Sequence, residues 1–336
     1  MTGTVTHLDT AEDILRLGNA FCEAKALLTA VQLDLFDTLD ARPLTEEEIR
    51  DRLGLHGRGL ADFLRLLVAL GLLEADGGRY TGSPSARRHL VTGKPGYVGG
   101  FLRRTDHNRY PLWGRLADAL RTGKPQYDGD FRQVLSTPAA LEQFVQMMDG
   151  LTQVLAPQLA DAHDWSTARS VVDVGGCRGN VAGHVVRANP GLTGHVFDLP
   201  QIEPFFARHV ERMGLTGRIS FHGGDFFEDD LPHGDVVVMG HVLHNWNESQ
   251  RARLVAKAHQ AVHPGGALLV YDRMLDGHSA SPTENLVISL DMLLVSEGGA
   301  EYTVDELRRH AESAGFASVT ARPLGDHDTL VVCRKD

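Results

Sequence analysis

The apolar positions in the first part of the chain recur with the period of an α-helix. Between residues 11 and 33, Ile14, Leu17, Phe21 and Leu28 fall on a helical spacing, which predicts one long helix. Many of the remaining positions are alanine or leucine, both of which are good helix formers. The first element that can be recognised is therefore helical.

Two further helices and a hairpin follow. Thr45 and Glu48 form the capping-box pattern that begins a helix, and residues 60–67 carry leucine and phenylalanine at helical spacing. Residues 71–81 contain two short extended stretches around an Asp-Gly-Gly turn, a pattern typical of a hairpin. Helix, helix and hairpin in this order predict a winged-helix module. Its second helix has two arginines among many leucines, which favours a packing or dimerisation role over DNA binding.

Residues 98–123 and 138–160 are also predicted to be helical. They combine aromatic side chains, methionines and histidine. Most of these side chains fit a helix core, but methionine and aromatic residues also form adaptable walls around a flat organic ligand. The second of these segments is therefore a candidate wall of a ligand pocket.

From residue 170 onward, short β-branched runs alternate with helical stretches. The predicted strands are residues 171–174, 196–198, 219–222, 235–239 and 267–271. Helices are predicted between and after them, and two more strands complete the pattern: helices 180–188, 201–213, 248–262 and 303–314, and strands 317–322 and 328–334. This alternation predicts an α/β fold, with a parallel sheet covered by helices on both faces.

Length and charge narrow the possible functions. The chain has 336 residues, enough for about two domains, and 33 basic against 44 acidic residues give a net charge of −11. This acidic balance argues against a nucleic-acid partner, which usually meets a basic surface. The most apolar stretch, Leu60–Leu73, is interrupted by charges and is too short to span a membrane. The three cysteines are scattered, which suits a cytoplasmic location.

A glycine-rich turn follows the first predicted strand of the α/β part. Gly175, Gly176 and Gly179 allow the backbone to turn sharply and to approach a ligand closely. Cys177 stands where a GxGxxG dinucleotide pattern has its second glycine, so that pattern is absent. The turn alone leaves the identity of the ligand open.

Two acidic residues favour a nucleoside as the ligand of this turn. Asp198 ends the next predicted strand, about 20 residues after the turn, where a carboxylate can hold ribose hydroxyls. Asp225 ends the third strand. Both lie at the carboxyl ends of strands, the edge at which such sheets bind ligands. Together with the glycine turn, they predict a nucleoside-containing ligand.

Five motifs in order carry a family resemblance. They are Asp173-Val174-Gly175-Gly176, Phe197-Asp198-Leu199-Pro200, Gly224-Asp225-Phe226-Phe227, Leu243-His244-Asn245-Trp246 and Pro264-Gly265-Gly266. The chain resembles the S-adenosylmethionine-dependent small-molecule O-methyltransferases, which include plant caffeate-type enzymes and bacterial antibiotic-tailoring enzymes. The resemblance extends over nearly the whole chain, because this family also has an N-terminal winged-helix region.

The resemblance implies a fold class and a domain organisation. The expected fold is α/β, with a Rossmann-like S-adenosylmethionine methyltransferase domain at residues 161–336. An all-helical, winged-helix-like dimerisation domain is expected at residues 1–95. A helical linker that contributes to the substrate pocket is expected at residues 96–160. The resemblance also implies a homodimer formed through the N-terminal helices.

S-adenosyl-L-methionine is the implied cofactor. In the family, the glycine turn holds its methionine part, the acid matching Asp198 holds the ribose, and the acid matching Asp225 lies by the adenine. By this resemblance, the residues expected to bind the cofactor are Asp173, Gly175, Gly176, Asp198, Leu199, Gly224, Asp225, Phe226, Gly240 and Trp246.

The fourth motif contains a candidate base. His244 follows the fourth predicted strand, and histidine is the side chain best able to accept a proton near neutral pH. The resemblance implies that His244 takes the proton of a substrate hydroxyl. Asp272 and Glu301 match positions that support this base, where a carboxylate at the far ring nitrogen fixes the tautomer. The family often has aspartate where this chain has Asn245, so we expect less charge support there.

The acceptor pocket is expected between the sheet edge and the helical region. Its expected lining combines apolar walls with a few polar groups, namely His107, Asn108, Phe144, Met147, Met148, His241, Met292 and Leu293. His241 and His244 are three residues apart and leave metal assistance open, with Asp291 and Glu297 as acidic candidates. The favoured prediction contains no metal.

The resulting prediction is methyl transfer from S-adenosylmethionine to a hydroxyl of a small aromatic acceptor in bacterial secondary metabolism, such as antibiotic biosynthesis. The alternative within the family is methylation of carbon in an aromatic, indole or keto-acid acceptor. Two hypotheses from other classes also stay open, a winged-helix regulator that senses a nucleoside and a nicotinamide oxidoreductase. The acidic charge argues against the first, and the missing GxGxxG pattern argues against the second.

Overall fold

The chain folds into two compact units, one ending at Gly114 and one running from Arg115 to Asp336. The computed structural model describes residues 8–94, 96–127, 137–277 and 282–336. Each unit has its own hydrophobic core. The predicted boundaries at residues 95 and 160 differ from this division, because the segment between them is shared by the two units.

The N-terminal unit begins with helices and a small sheet. Its first helices are Ala11–Gln32, Leu35–Asp40, Glu46–Leu53, Leu60–Ala69 and Pro84–His89. Three antiparallel strands pair in the order β1-β3-β2 and are β1 (Leu44–Thr45), β2 (Leu73–Asp76) and β3 (Arg79–Gly82). The predicted hairpin is therefore confirmed. The expectation of an all-helical domain is corrected, because the segment before the third helix pairs with that hairpin.

The third helix illustrates how local sequence sets an element. Thr45 Oγ1 accepts a hydrogen bond from the Glu48 amide at 3.2 Å, and Glu48 Oε2 accepts one from the Thr45 amide at 2.8 Å. The helix ends at Leu53 and is capped by Gly54, whose φ of 62° is left-handed. The predicted capping box is therefore confirmed.

The first part of the expected linker packs with the N-terminal unit. Asp106 forms an ion pair with Lys25 of the first helix, and Leu102 packs against the N-terminal core. This part comprises an α-helix, a π-helix and a final helical turn, Gly99–Arg104, Thr105–Arg109 and Tyr110–Trp113. The rest of the expected linker packs with the second unit, where Leu155 and Leu159 enter the core.

A seven-stranded sheet forms the centre of the C-terminal unit. Its strands are β4 (Ser170–Val174), β5 (Thr193–Asp198), β6 (Ile219–Gly223), β7 (Gly234–Gly240), β8 (Val262–Asp272), β9 (Ser318–Leu324) and β10 (Asp328–Arg334). The order is β6-β5-β4-β7-β8-β10-β9. Strands β4 to β8 pair in parallel, and β10 is antiparallel to both of its neighbours. The strand order reverses beside β4, and such a point opens a ligand crevice at the carboxyl ends of the strands.

Helices cover both faces of this sheet, as predicted. Pro138–Ala162, Asn180–Ala188 and Glu203–Arg212 pack on one face, and Glu248–Ala261 and Val304–Ala314 pack on the other. The unit also contains two helices that pack against each other, Leu116–Thr122 and Thr283–Val295, and 3₁₀ turns at Pro200–Ile202 and Leu243–Asn245. Val171 and Val172 belong to two different core clusters, because successive strand residues face opposite sides. The α/β fold with a two-sided core is therefore confirmed. Within the described ranges, no helix has the length and apolar character that crossing a membrane requires.

Candidate active site

The glycine turn after β4 leaves bare backbone at the edge of the sheet. Gly175 and Gly179 adopt left-handed φ angles of 71° and 82°. A Cβ atom on Gly175 would lie 2.7 Å from Val242 Cγ2, and one on Gly176 would lie 2.5 Å from Asp173 Cγ. Larger residues would collide with these neighbours, so the turn is lined by backbone and can approach a ligand closely.

Asp173, in β4, holds the start of the helix that follows the glycine turn. Its Oδ2 accepts a hydrogen bond from the Ala182 amide at 3.2 Å, and the side chain is buried. Burial, reinforced by the charge of Asp198, raises the pKa of Asp173 to about 7. The side chain therefore fixes the first turn of the helix Asn180–Ala188, which follows the glycine turn.

Asp198 receives two backbone hydrogen bonds. The Cys177 amide donates to Oδ2 at 2.8 Å, and the Leu199 amide donates to Oδ1 at 2.7 Å. Burial raises the pKa of Asp198 to about 6. Each carboxylate oxygen has a second lone pair with which it can accept a hydrogen bond from a ligand hydroxyl. The carboxylate is thus oriented at the end of β5, next to the bare turn.

An aromatic cluster lies beyond β6. The rings of Phe226 and Phe227 meet Trp246 edge to face, with centroids 5.8 and 4.6 Å from the indole. Asp225 fixes this loop, because its Oδ1 accepts a hydrogen bond from the Phe227 amide at 2.9 Å. Three residues expected to bind the cofactor, Asp225, Phe226 and Trp246, are thereby brought together, and their contact with it stays a prediction.

The two remaining glycines of the expected cofactor site have packing roles. A Cβ on Gly224 would lie 2.7 Å from Phe197 Cζ, and one on Gly240 would lie 1.9 Å from Tyr271 Cζ. Gly240 therefore allows a buried tyrosine ring to lie directly on the end of β7. A role for either glycine in cofactor binding stays a prediction.

His244 lies in the 3₁₀ turn after β7 and contacts two buried acids. Its Nδ1 is 2.7 Å from Glu301 Oε1 and 3.6 Å from Asp272 Oδ1. Asp272 is the last residue of β8, and its Oδ2 accepts a hydrogen bond from the Tyr302 hydroxyl. The three residues expected to act together are therefore adjacent.

Burial sets the electrostatics of this group. It lowers the pKa of His244 and raises the pKa of Glu301, because both charged forms lose water. It also raises the pKa of Asp272 to about 6. When Glu301 is ionised it accepts the Nδ1 hydrogen, which leaves Nε2 able to take a proton. The arrangement can therefore work as a general base with an orienting carboxylate.

In the hydrogen bonds that the structure describes for the Asn245 side chain, the partners are backbone atoms. Its Nδ2 donates to the carbonyls of His241 and Val242 at 3.1 and 3.2 Å. The charge support that an aspartate here would supply comes instead from Glu301 and Asp272, on other elements.

A second histidine, His241, lies beside this group of ionisable side chains. His241 Nε2 is 3.1 Å from Asp328 Oδ1, and His241 Nδ1 is 3.8 Å from Asp272 Oδ1. His241, His244 and Asp272 offer ligand atoms within 4.8 Å of one another, so they have the spacing to hold a divalent cation. The acidic candidates named from the sequence, Asp291 and Glu297, are not in this group. The expectation of a metal-free site stays a prediction.

Arg251 links the aromatic cluster to Tyr302, the residue after Glu301. Its guanidinium is buried, lies 2.7 Å from Glu306 Oε1 and stacks 5.0 Å from the centre of the Tyr302 ring. It also donates a hydrogen bond to the Trp246 carbonyl. Sequence reasoning did not find this residue, because its contacts are with elements distant in the chain.

The expected acceptor-pocket residues are distributed over both units. His107 and Asn108 lie in the π-helix of the N-terminal unit. In the C-terminal unit, the half-buried Phe144 packs against the same small apolar cluster as Cys177 and Leu199. Met147 and Met148 are half-buried on the same helix as Phe144, and Met292 and Leu293 are half-buried on a helix that packs against the His244 turn. Their contact with an acceptor stays a prediction.

Asp328 is a site residue that the sequence analysis missed. It begins β10, and its neighbour Thr329 pairs with Asp272 in the antiparallel register. The sequence shows only an acidic residue at the start of a C-terminal strand. Its position near Asp272 follows from the strand register.

Comparison with known proteins identifies the family. Residues 113–317 match the O-methyltransferase domain, and residues 15–92 match the O-methyltransferase dimerisation domain. The chain is 46% identical over 333 residues to the tetracenomycin polyketide synthesis 8-O-methyl transferase TcmO of Streptomyces glaucescens, covering 98% of each chain. It is 40% identical over 333 residues to the N,N-dimethyltransferase OxyT of Streptomyces rimosus, covering 97% of this chain and 96% of OxyT. The chain belongs to the S-adenosylmethionine-dependent O-methyltransferase family.

Solved structures agree with this assignment. Human N-acetylserotonin methyltransferase in complex with S-adenosylmethionine is 27% identical with a TM-score of 0.89, covering 98% of this chain and 99% of that one. PigF with S-adenosylhomocysteine is 27% identical with a TM-score of 0.90, covering 97% and 100%. The bare glycine turn and the oriented carboxylate of Asp198 fit this cofactor. The protein is therefore an S-adenosylmethionine-dependent methyltransferase, and the regulator and oxidoreductase hypotheses are wrong.

Proposed function

We propose that the enzyme methylates a hydroxyl group of a small aromatic acceptor, with His244 as the general base. The observation that carries this proposal is the buried 2.7 Å contact between His244 Nδ1 and Glu301 Oε1. The base is also close to the cofactor turn, because Val242, two residues before it, lies against Gly175.

S-adenosylmethionine, when bound, supplies an electrophilic methyl group on a sulfonium sulfur. His244 Nε2 takes the proton of the acceptor hydroxyl as the oxygen bonds to the methyl carbon, and the electron pair of the broken C–S bond stays on sulfur. Glu301 stabilises the imidazolium that forms. A positioned base contributes typically 10²–10⁴-fold, and orientation of the reacting atoms can contribute roughly 7–11 kcal/mol.

Asp198 is proposed to hold the ribose hydroxyls, and Asp225, Phe226 and Trp246 the adenine end. Support comes from the fixed carboxylate of Asp198 and from the edge-to-face aromatic cluster. The turn at Gly175 and Gly176 is proposed to hold the methionine part.

The acceptor is proposed to be a flat, hydroxylated aromatic compound of bacterial secondary metabolism. The half-buried Phe144, Met147, Met148 and Met292 offer apolar, adaptable walls. His107 and Asn108, within the helical segment 96–160, are proposed as polar contributors. Relatives carry consistent names, including a 3-hydroxy-5-methyl-1-naphthoate 3-O-methyltransferase of Streptomyces sahachiroi, which is 34% identical over 295 residues.

An amine acceptor is the second candidate. It is favoured by the 40% identity to OxyT, which is named an N,N-dimethyltransferase. A neutral amine also loses a proton after methylation, so the same base would serve.

A homodimer is proposed to form through the first helix. Ile14, Leu15, Leu17 and Phe21 expose 56–66% of their surface there, within or next to the segment that matches the dimerisation domain. A cytoplasmic location is proposed as well, which suits the three free cysteines.

Mass spectrometry of products formed from a panel of phenols, naphthols, indoles and aromatic amines tests the acceptor class. We expect a mass gain of one methylene equivalent on a hydroxyl of at least one phenol or naphthol. His244→Ala should keep its affinity for S-adenosylhomocysteine while turnover falls roughly 10²-fold or more. Methylation of carbon alone, or full turnover by the variant, would contradict the proposal.

A further inference from the structure

Three polar side chains meet on one face of the large sheet, at its β6 edge. His195 of β5 pairs with Ser220 of β6 in the parallel register, and His222 lies two residues further along β6. Because alternate residues of a strand share a face, all three side chains lie on the same side of the sheet. The mechanism described so far uses none of these residues.

The polar atoms of these side chains form a small triangle. His195 Nδ1 is 2.9 Å from Ser220 Oγ and 3.1 Å from His222 Nε2, and Ser220 Oγ is 3.1 Å from His222 Nε2. The two imidazole rings are tilted by 53° with centroids 5.2 Å apart, so they are not stacked. The rings therefore meet through the edges that carry these nitrogen atoms.

Hydrogen bonds alone use this triangle poorly. A hydrogen on nitrogen or oxygen points along one line, so each hydrogen joins a single pair of the three atoms. Each atom can also present a lone pair, because a neutral imidazole has one accepting nitrogen and a hydroxyl oxygen has two lone pairs. A cation that meets all three lone pairs satisfies the three atoms together.

The spacing fits a divalent transition-metal ion. Imidazole nitrogen binds Zn²⁺ at about 2.0–2.1 Å, which places neighbouring ligand atoms about 3.0–3.4 Å apart in octahedral or tetrahedral geometry. The distances of 2.9 to 3.1 Å in the triangle are close to the octahedral end of this range. Imidazole suits zinc, copper and nickel, whereas Mg²⁺ and Ca²⁺ prefer oxygen ligands.

Water can reach the remaining coordination positions of such an ion. Ser220 is exposed, and His195 and His222 are half-buried. A metal site that keeps positions open to solvent is common among sites with few protein ligands. The three side chains are thus accessible from solution.

We propose that His195, His222 and the Ser220 hydroxyl form a binding site for a divalent transition-metal ion such as Zn²⁺, with water in the remaining positions. The site lies on β5 and β6 and is separate from the group around the proposed base at the ends of β7 and β8. It does not depend on the proposed role of His244.

A bound ion would join the edge strand to its neighbour close to two proposed cofactor residues. Asp198 follows His195 by three residues, and Asp225 follows His222 by three residues. The parallel ladder already pairs β5 with β6, and an ion across the two strands adds a second connection. Because the ion needs both strands in register, it should bind the folded chain and stabilise it against unfolding.

Titration calorimetry of the full-length protein without an affinity tag tests the site, with Zn²⁺ as the probe. His195→Gln and His222→Gln should each abolish one equivalent of binding or raise its Kd about tenfold or more, since even residues behind the direct ligands typically contribute 10–100-fold. Ser220→Ala should raise the Kd less, because a hydroxyl is a weaker zinc ligand than imidazole. Mg²⁺ should show no binding that these substitutions remove.

Two controls locate the ion. His56→Gln removes an exposed histidine whose Nδ1 accepts a hydrogen bond from the Arg58 amide at 3.1 Å, and it should leave Zn²⁺ binding unchanged. His241→Gln alters the group around the proposed base, and it should keep the equivalent that His222→Gln loses.

Thermal unfolding provides a second readout. Zn²⁺ at about 100 times its Kd should raise the Tm of the wild type by about 5 °C or more. The same Zn²⁺ concentration should produce no such rise in His222→Gln. The melting curves without metal show whether each variant is folded, and His195→Gln provides the comparison if His222→Gln is not.

Several outcomes would overturn the proposal. Equal stoichiometry and Kd in the wild type and both histidine variants would place the ion elsewhere, as would loss of the same equivalent in His241→Gln or His56→Gln. An unchanged Kd in Ser220→Ala would contradict a site of three protein ligands. Absence of Zn²⁺ binding by the wild type would leave the triangle as a hydrogen-bonded cluster.

Discussion

The backbone amide of Cys177 donates a 2.8 Å hydrogen bond to Asp198 Oδ2 and so joins the glycine turn to the end of β5. Cys177 has a φ of 50°, an unusual conformation for a residue with a side chain. The bond helps to hold that conformation. The shape of the turn and the direction of the carboxylate are therefore set together.

Substitution of Asp198 should accordingly weaken cofactor binding. Asp198→Ala removes an acceptor of two backbone hydrogen bonds and a proposed ribose contact, so the Kd for S-adenosylhomocysteine should rise about tenfold or more. Titration calorimetry measures this. Asp164→Ala is a matched control, because Asp164 accepts a bond from Ser166 in an exposed turn. An unchanged Kd in Asp198→Ala would remove its proposed role.

Glu301→Gln should impair turnover more than binding. The amide can still accept the Nδ1 hydrogen of His244, but it cannot stabilise an imidazolium by charge, so kcat should fall about 10²-fold or more. Steady-state kinetics check this against Glu297→Gln, an exposed position four residues earlier. Similar kcat values for the two variants would argue against the dyad.

The buried carboxyl of Asp173 should make stability depend on pH. Its pKa is raised from 3.8 to about 7, so the folded chain keeps a proton that the unfolded chain has lost. The contribution of this group to the free energy of unfolding therefore falls as pH rises from 3.8 to about 7. Asp173→Asn should lose this dependence.

Urea unfolding of the ligand-free protein, at one pH between 3.8 and about 7 and one above it, measures this pH dependence of the free energy of unfolding. The stability of Asp173→Asn relative to the wild type should be higher at the upper pH. A difference that is the same at both would contradict the assignment.

Loss of apolar side chains from the first helix should weaken the proposed dimer. Phe21 is 56% exposed, and its burial in an interface would contribute about 2 kcal/mol per copy. Phe21→Ser should therefore raise the dimer dissociation constant about tenfold or more. Sedimentation velocity measures this, with Leu120→Ser as the control, since Leu120 is 64% exposed outside that segment. A wild type that is monomeric at all concentrations would refute the dimer.

Gly240→Ala should destabilise the fold. The added methyl would lie 1.9 Å from Tyr271 Cζ, and such overpacking typically costs about 1–3 kcal/mol. Denaturant unfolding should register this loss. Gly191→Ala is the control, because nothing lies within 4 Å of its Cβ position. Equal stability of the two variants would show that the tyrosine ring can move aside.

Elements with a strong local signal were predictable from sequence. The capping box at Thr45 and the helix at residues 180–188 have the predicted bounds, since caps and periodicity act within a few residues. The helix Thr283–Val295 was not predicted. Its sequence is apolar on most sides, so it lacks the alternation by which an amphipathic helix is recognised.

The candidate site likewise contains residues that the local sequence indicates and residues that it does not. His244 and Asp198 lie in short motifs at the ends of strands, where position along the chain indicates position in the sheet. Asp328 and Arg251 contact partners far away in sequence, and those contacts follow from strand register and helix packing. Local pattern contains no information about either.

Arg251 holds Trp246, Tyr302 and Glu306 through a single guanidinium, so it connects a proposed cofactor residue to Tyr302, the neighbour of the proposed dyad acid Glu301. Laboratory evolution of a new acceptor range should therefore leave Arg251 unchanged. We expect a library that varies this arginine to lose cofactor affinity and turnover together, whereas variation of the half-buried Met147 and Met292 should change acceptor binding.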